Sequence, residues 1–307
     1  MKKQMNFDFI GHRRIFLIIT ACVFAVGIIL NIIFGISMSV SFKGGTLMRY
    51  SYTGEISELA PIQQTVKSVL GDAADVSIES ANDTDVLSIT LTDTVTIEQQ
   101  EKLIDALQKD HASYEFKEFS INTLKASMGK LFFVKCLVAV ALAALFLLIY
   151  VGLRFRKIGG LSAGAMALLA LLHDLCIVYF TFVAFGIQLD DNFVAVMLAI
   201  LGYSLNDTIV VYDRIRENRG RMKDAPITEI VNTSLNQTFG RTLNTSICVA
   251  LAIGTAAVFA IVLRMDTITS FAVPMLFGVV AGFYSSVCLT PSLWALWAEK
   301  RQAKKKA

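Results

Sequence analysis

Two carboxylates lie where apolar residues dominate: Asp207 within ILGYSLNDTIVV and Asp174 within LLALLHDLCIVY. An ionised group in hydrocarbon costs roughly 2.5–3.5 kcal/mol on insertion scales, so each needs a partner, water or a proton. The chemistry open to such a group is to take up a proton, or a sodium ion, and give it back. Desolvation favours the protonated carboxyl, and a guanidinium brought beside it favours release. Arg241, in FGRTLNTS, is the guanidinium on offer. Asp207 lies six residues before Asp213, hence about 9 Å deeper than the basic helix end. Helical spacing gathers Tyr203, Asn206, Asp207, Val210, Asp213 and Arg214 on one side of that segment. His173 stands beside Asp174, and Ala170, Ile177 and Thr181 continue the same face. Arg241, Asn244, Thr245 and Cys248 follow at i, i+3, i+4 and i+7. Asp207, Asn206, Asp174, His173 and Arg241 are therefore candidate ion-relay residues. Each also has a plainer reading. Asp207 would lock helix packing, the His173–Asp174 pair would satisfy itself, and Arg241 would snorkel to the membrane edge. Asp213, Arg214 and the arginines after them read as a solvated loop, and Asn31 as a polar contact between helices.

The elements that must hold these residues are membrane spans. The 307 residues are 55% hydrophobic and only 17% charged, far from an ordinary soluble domain. Stretches long enough to cross a bilayer fall at 15–36, 131–153, 160–186, 192–213, 243–263 and 270–297. The first follows a basic start, but its length and the lack of a small-residue cleavage site mark a retained span rather than a secretory signal. Short cytoplasmic pieces accumulate Lys and Arg. With segment 1–14 inside, the loop after the second span, the loop 214–242 and the tail 300–307 hold, with it, eighteen of the 28 Lys and Arg. Both termini are thus expected in the cytoplasm, with residues 127–299 forming a five-helix bundle beside the first span.

The long polar stretch 37–126 must then be extracytoplasmic. It carries 14 acids against 7 bases. Its pattern alternates strand and helix signals through LMRYSYTG, ISELAPIQQTVKSVL, ADVSIES, DVLSITLTD, TIEQQEKLIDALQKD and YEFKEFSIN. Thr96 and Gln99 stand at capping-box spacing. The order is βαββαβ, predicting a ferredoxin-like α+β unit. The fold class is thus a polytopic α-helical membrane protein with one such domain between its first two helices.

Cys22, Cys136, Cys176, Cys248 and Cys288 all lie in or beside apolar spans without a CxxC pair, and read as small buried hydrophobes. No Gly-rich phosphate cradle and no Ser/His/Asp or metal-ligand arrangement is present, so no enzyme activity, cofactor or metal is expected. Topology explains the basic residues, so nucleic acid is not invoked.

The string GYSLNDTIVVYDRIREN, preceded by ALLHDLCIVYFTFVAFGI and followed by FGRTLNTS, resembles the SecF family, the smaller membrane subunits of the bacterial SecDF accessory complex in the resistance-nodulation-division superfamily. The likeness covers nearly the whole chain. It implies a bacterial cytoplasmic-membrane protein that works with a SecD-like subunit, the SecYEG channel and YajC, using the proton motive force to help complete preprotein export. By resemblance Asp207 is the relay carboxylate, Arg241 its arginine and Asp174 the acid of the third span. Gly202, Tyr203, Ser204, Thr208, Asp213 and Arg214 belong to the same motif. The outside domain resembles one thought to move as the proton passes. The family pattern also has an acid before a Gly-Gly pair, whereas here MSVSFKGGT places Ser41 at that point and keeps Gly44 and Gly45. Six spans with one domain look like half of a transporter, so a SecD-like mate is implied. Met1 and the KRQAKKKA ending are expected of a polypeptide separate from it. Two other classes compete with this reading: half of a small-molecule or lipid exporter, and a scaffold whose polar spans only hold partners.

Overall fold

The computed structural model describes residues 7–54, 56, 58–81, 84–124 and 126–306, so the expected cytoplasmic Lys2 and Lys3 lie outside the described residues. Among the described residues, six helices are long and apolar enough to cross a membrane. The chain is accordingly polytopic and mostly helical, with one small sheet.

The apolar run after Arg13 forms α1 (Arg13–Phe34), and Gly35, at φ +68°, ends it by returning its N–H to Asn31. A single turn, α2 (Val40–Lys43), follows and contains Ser41. The domain then runs β1 (Gly45–Ser51), α3 (Ala60–Leu70), β2 (Asp75–Ala81), β3 (Thr84–Leu91), α4 (Ile97–Asp110) and β4 (Lys117–Leu124). The four strands form one antiparallel sheet in the order β2-β3-β1-β4. Alternation along the strands turns Met48, Tyr50, Leu87 and Ile89 toward Ile62, Val66, Leu103 and Leu107 of the two helices. Thr96 and Gln99 complete the capping box at the start of α4.

The first and last strands leave the domain together, because Gly45 of β1 pairs with Leu124 of β4. Gly44 and Gly45 take φ +78° and +127°, and a Cβ on Gly45 would lie 2.1 Å from the Leu91 carbonyl oxygen. Only glycine fits that approach. Below it, Phe42 wedges against Phe132 and Phe133, seating α2 on the next helix.

That helix is α5 (Ala126–Arg154), followed by α6 (Gly160–Ala184), α7 (Asp191–Arg221) and α8 (Ile227–Val262). The Asp190 side chain caps α7 by accepting the N–H groups of Asn192 and Phe193. α9 (Asp266–Tyr284) passes through one π-helical turn, Ser285–Leu289, into α10 (Thr290–Lys306).

The stretch 214–242, expected as a loop, is helical on both sides of a connection at 222–226. Its charges are helix pairs. Arg214 and Arg221 both meet Glu217, and Arg216 meets Asp213, at three- and four-residue spacing. Arg214 also reaches Gln237 and Asn218 reaches Ser234, which zips α7 to α8 well beyond the apolar zone. The basic composition that signals topology hid this helical periodicity.

Two apolar cores flank the middle of the bundle. Phe155, Tyr212 and Trp294 anchor the one at the arginine-rich end, and Phe42, Phe182, Phe193, Val196, Ile200 and Val279 the one at the domain-bearing end. Large apolar side chains on α1, α5 and the far half of α8 remain exposed, as a bilayer-facing surface requires.

Candidate functional site

Both acids are buried in the bundle, and they are held very differently. Asp174 on α6 is fully enclosed. Its Oδ2 accepts hydrogen bonds from Ser204 Oγ on α7 at 2.5 Å and from Ser285 Oγ in the π-helical turn at 2.8 Å, and its Oδ1 lies 2.9 Å from His173 Nδ1. Ser286 Oγ donates to the Ser204 carbonyl oxygen at 3.0 Å and meets Thr208 Oγ1 at 2.8 Å. The π register brings the consecutive Ser285 and Ser286 inward together, and both are fully buried. His173 stacks on Phe24 of α1 with centroids 5.6 Å apart, so four helices meet at this cluster.

Asp207, one turn beyond Ser204, is 2% exposed. One side-chain donor reaches it among the described residues: Ser246 Oγ on α8, 3.2 Å from Oδ2. An ionised carboxylate offers about four acceptor sites. Asp207 therefore retains accepting capacity inside the bundle where Asp174 has met most of its own. Tyr203 lies a turn earlier on the same side, beside Ser246.

The expected polar stripe on α7 is split. Tyr203 and Asp207 turn inward, whereas Asn206 and Gly202 are exposed on the outer surface. The stripe on α8 divides the same way. Arg241, Asn244, Thr245 and Cys248 are exposed, and Arg241 has no ion pair among the described residues. This chain alone does not bring Arg241 to Asp207. The face of α8 that packs on α7 consists instead of Ser234, Thr238, Thr242 and Ser246, all buried. Strict four-residue spacing of hydroxyls in SLNQTFGRTLNTS was the available signal, one residue out of step with the polar stripe that contains Arg241. Ser285 and Ser286 carried no such signal, because their joint inward turn depends on the π register.

Asp213 is half-exposed and bridges Arg154 at 3.2 Å and Arg216 at 2.9 Å. It closes α5 onto the arginine-rich end of α7, and with Arg214 it lies in the charged helical extension rather than at the buried acids. No group of three or more His, Cys, Asp or Glu suited to a metal ion occurs among the described residues.

Comparison with known proteins bears on this bundle directly. The family model described as protein export membrane protein SecD/SecF, C-terminal, matches residues 103–300. A Petrotoga mobilis relative named protein translocase subunit SecF is 30% identical over 98% of this chain and 99% of its own length. Protein translocase subunit SecDF of Bacillus subtilis is 28% identical over 98% of this chain and 39% of its own. Among solved structures, SecDF, a translocon-associated membrane protein from Thermus, superposes with a TM-score of 0.80 at 26% identity, covering 96% of this chain and 39% of that one. The chain thus spans nearly all of its SecF relative and about two-fifths of the SecDF chains.

Proposed function

Because the chain belongs to the SecD/SecF family of protein export membrane proteins, we propose that it works as a SecF-type subunit of the bacterial Sec translocase accessory machinery. With a SecD-like partner it draws on the proton motive force to promote late steps of preprotein translocation through SecYEG, with YajC as a further associate. The observation that carries the reading is Asp207, a carboxylate 2% exposed with one side-chain donor in the middle of a membrane bundle. A group left so nearly unpaired in hydrocarbon is held there for what it exchanges.

The arginine-rich end is the cytoplasmic one, and the sheet domain, read as ferredoxin-like from its βαββαβ order and β2-β3-β1-β4 sheet, stands on the opposite side. Arg241, Asn244 and Thr245 share one exposed face of α8 by their helical spacing, and Asn206 is exposed on α7. Polar groups in that position favour a partner helix over lipid, so this surface supports the SecD-like mate. Arg241 then meets the relay only within the assembled pair.

The test is Asp207→Asn in the assembled complex, with insertion and partner binding confirmed. Gradient-dependent completion of preprotein export in vesicles is expected to vanish while gradient-independent export continues. A wild-type response to the gradient would leave Asp207 as a packing residue and overturn the reading.

A further inference from the structure

The seam between α7 and α8 is not uniform along its length. From the arginine-rich end inward it carries Asn218 Nδ2 donating to Ser234 Oγ at 2.9 Å, then Thr238, Thr242 and Ser246, the last donating to Asp207. These four hydroxyls recur every fourth residue on one face of α8 and are each at least nine-tenths buried. Thr242 Oγ1, one turn below Asp207's donor, has no hydrogen-bond partner among the described residues. A buried hydroxyl without a partner is costly unless water meets it. Beyond Asp207 and the neighbouring Tyr203, toward the domain-bearing end, the buried face of the seam carries no hydroxyl among the described residues. Val249, Ala250 and Ile253 of α8 pack there against the core built on Val196, Ile200 and Val279.

We infer that the Ser234–Thr238–Thr242–Ser246 ladder, with bridging waters, is the route by which Asp207 exchanges its proton with the arginine-rich side, and that this conformation is open to that side and closed to the other. The inference rests on the relay reading of Asp207 and adds the path and its direction. Successive rungs are about 6 Å apart along the helix, four residues at 1.5 Å each. One water hydrogen-bonded to both neighbours spans about that distance. The whole ladder covers about 18 Å, from the charged helical extension to the buried acid. At each rung a hydroxyl oxygen accepts a proton on a lone pair and releases its own, so nothing is consumed and only the proton moves. Ser234 and Thr238 now donate to the carbonyls of Ile230 and Ser234, at 2.7 and 2.9 Å. Those bonds orient the resting hydroxyls and leave a lone pair on each free to accept, the other on Ser234 taking the Asn218 amide. Polar groups facing the path are Tyr203 beside Asp207 and the Arg214–Glu217 pair at its mouth.

Thr242→Val removes the central hydroxyl at nearly constant shape. In the chain assembled with its SecD-like partner and SecYEG, it should lower the gradient-dependent export rate about a hundredfold or more, the scale of losing a positioned proton-transfer group. Thr242→Ser should restore that rate. Thr255→Val is the control, because Thr255 is an exposed α8 hydroxyl donating to Leu251 on the apolar side of the seam. Wild-type export in Thr242→Val, with Asp207→Asn inactive, overturns the ladder and leaves the relay reading standing. Active Asp207→Asn overturns both. A second measurement needs no transport: Thr242→Cys, in a chain whose five cysteines are replaced by alanine, should react with a small charged thiol reagent from the arginine-rich side alone. Reaction from the domain side, or none from either side, overturns the inference.

Discussion

Asp174 and Asp207 share a chemistry, a bundle and nearly complete burial, yet among the described residues the first is met by side chains of three segments and the second by one. The difference separates two uses of a buried acid. A carboxylate that gathers donors from α6, α7 and the π-helical turn ties helices together, and changing its charge disturbs every one of them. A carboxylate with one hydroxyl partner can change its charge and disturb little. On the relay reading proposed above, packing at Asp174 is the fixed frame against which Asp207 acts.

Removing each acid tests this contrast most strongly. Asp174→Ala leaves Ser204, Ser285 and His173 without their acceptor, and buried polar groups left unpaired cost about 1–3 kcal/mol each, a loss on the order of 3–5 kcal/mol in all. Thermal unfolding of the detergent-solubilised chain should show a large loss, together with poor recovery from the membrane. Asp207→Ala should cost about 1 kcal/mol or less in the same measurement, because Ser246 can turn back to its own helix carbonyl. Equal losses at the two sites would erase the distinction.

Single hydroxyls sharpen the same comparison at smaller scale. Ser204→Ala and Ser285→Ala should each cost about 1–2 kcal/mol, since each removes one donor to a charged acceptor. The two donate to the same Oδ2, so the double variant should depart from additivity by at least about 0.5 kcal/mol. Strict additivity in thermal unfolding would mean that Asp174 does not join α7 to the π-helical turn. Ser246→Ala should shift the unfolding midpoint less than either while still slowing gradient-dependent export.

Much of this was legible in the chain. Apolar length marked six spans, alternation marked the strand and helix order of the domain, and an acid in each of two spans marked the buried sites. Helix rotation was not legible. Asn206 and Asp207 are sequence neighbours, but 100° of turn sends one outward and the other to Ser246. Arg241 and Thr242 divide in the same way. On a helix with two polar faces, periodicity locates both faces and only the neighbouring helix decides which is inside. The π-helical turn was hidden for a related reason, because SSVCL contains no Gly or Pro to mark a register change and the pull on Ser285 and Ser286 comes from groups more than seventy residues away in sequence.

Arg241 provides the smallest expected effect and the sharpest control. Its side chain lies on the exposed surface of α8, five residues and about 7.5 Å from Ser246 toward the arginine-rich end. No pairing within this chain depends on it among the described residues, so Arg241→Gln should change the stability of the isolated chain by no more than about 0.5 kcal/mol. On the proposed relay, the same substitution in the assembled complex should remove gradient-dependent export, because a guanidinium at that depth would act on Asp207 only once a partner has excluded lipid from α8. A marked loss of stability in the isolated chain would place Arg241 in a contact of its own helix bundle. The surface would then lose its main argument as the seat of the partner, whereas the contrast between Asp174 and Asp207, which rests on bonds within the chain, would stand.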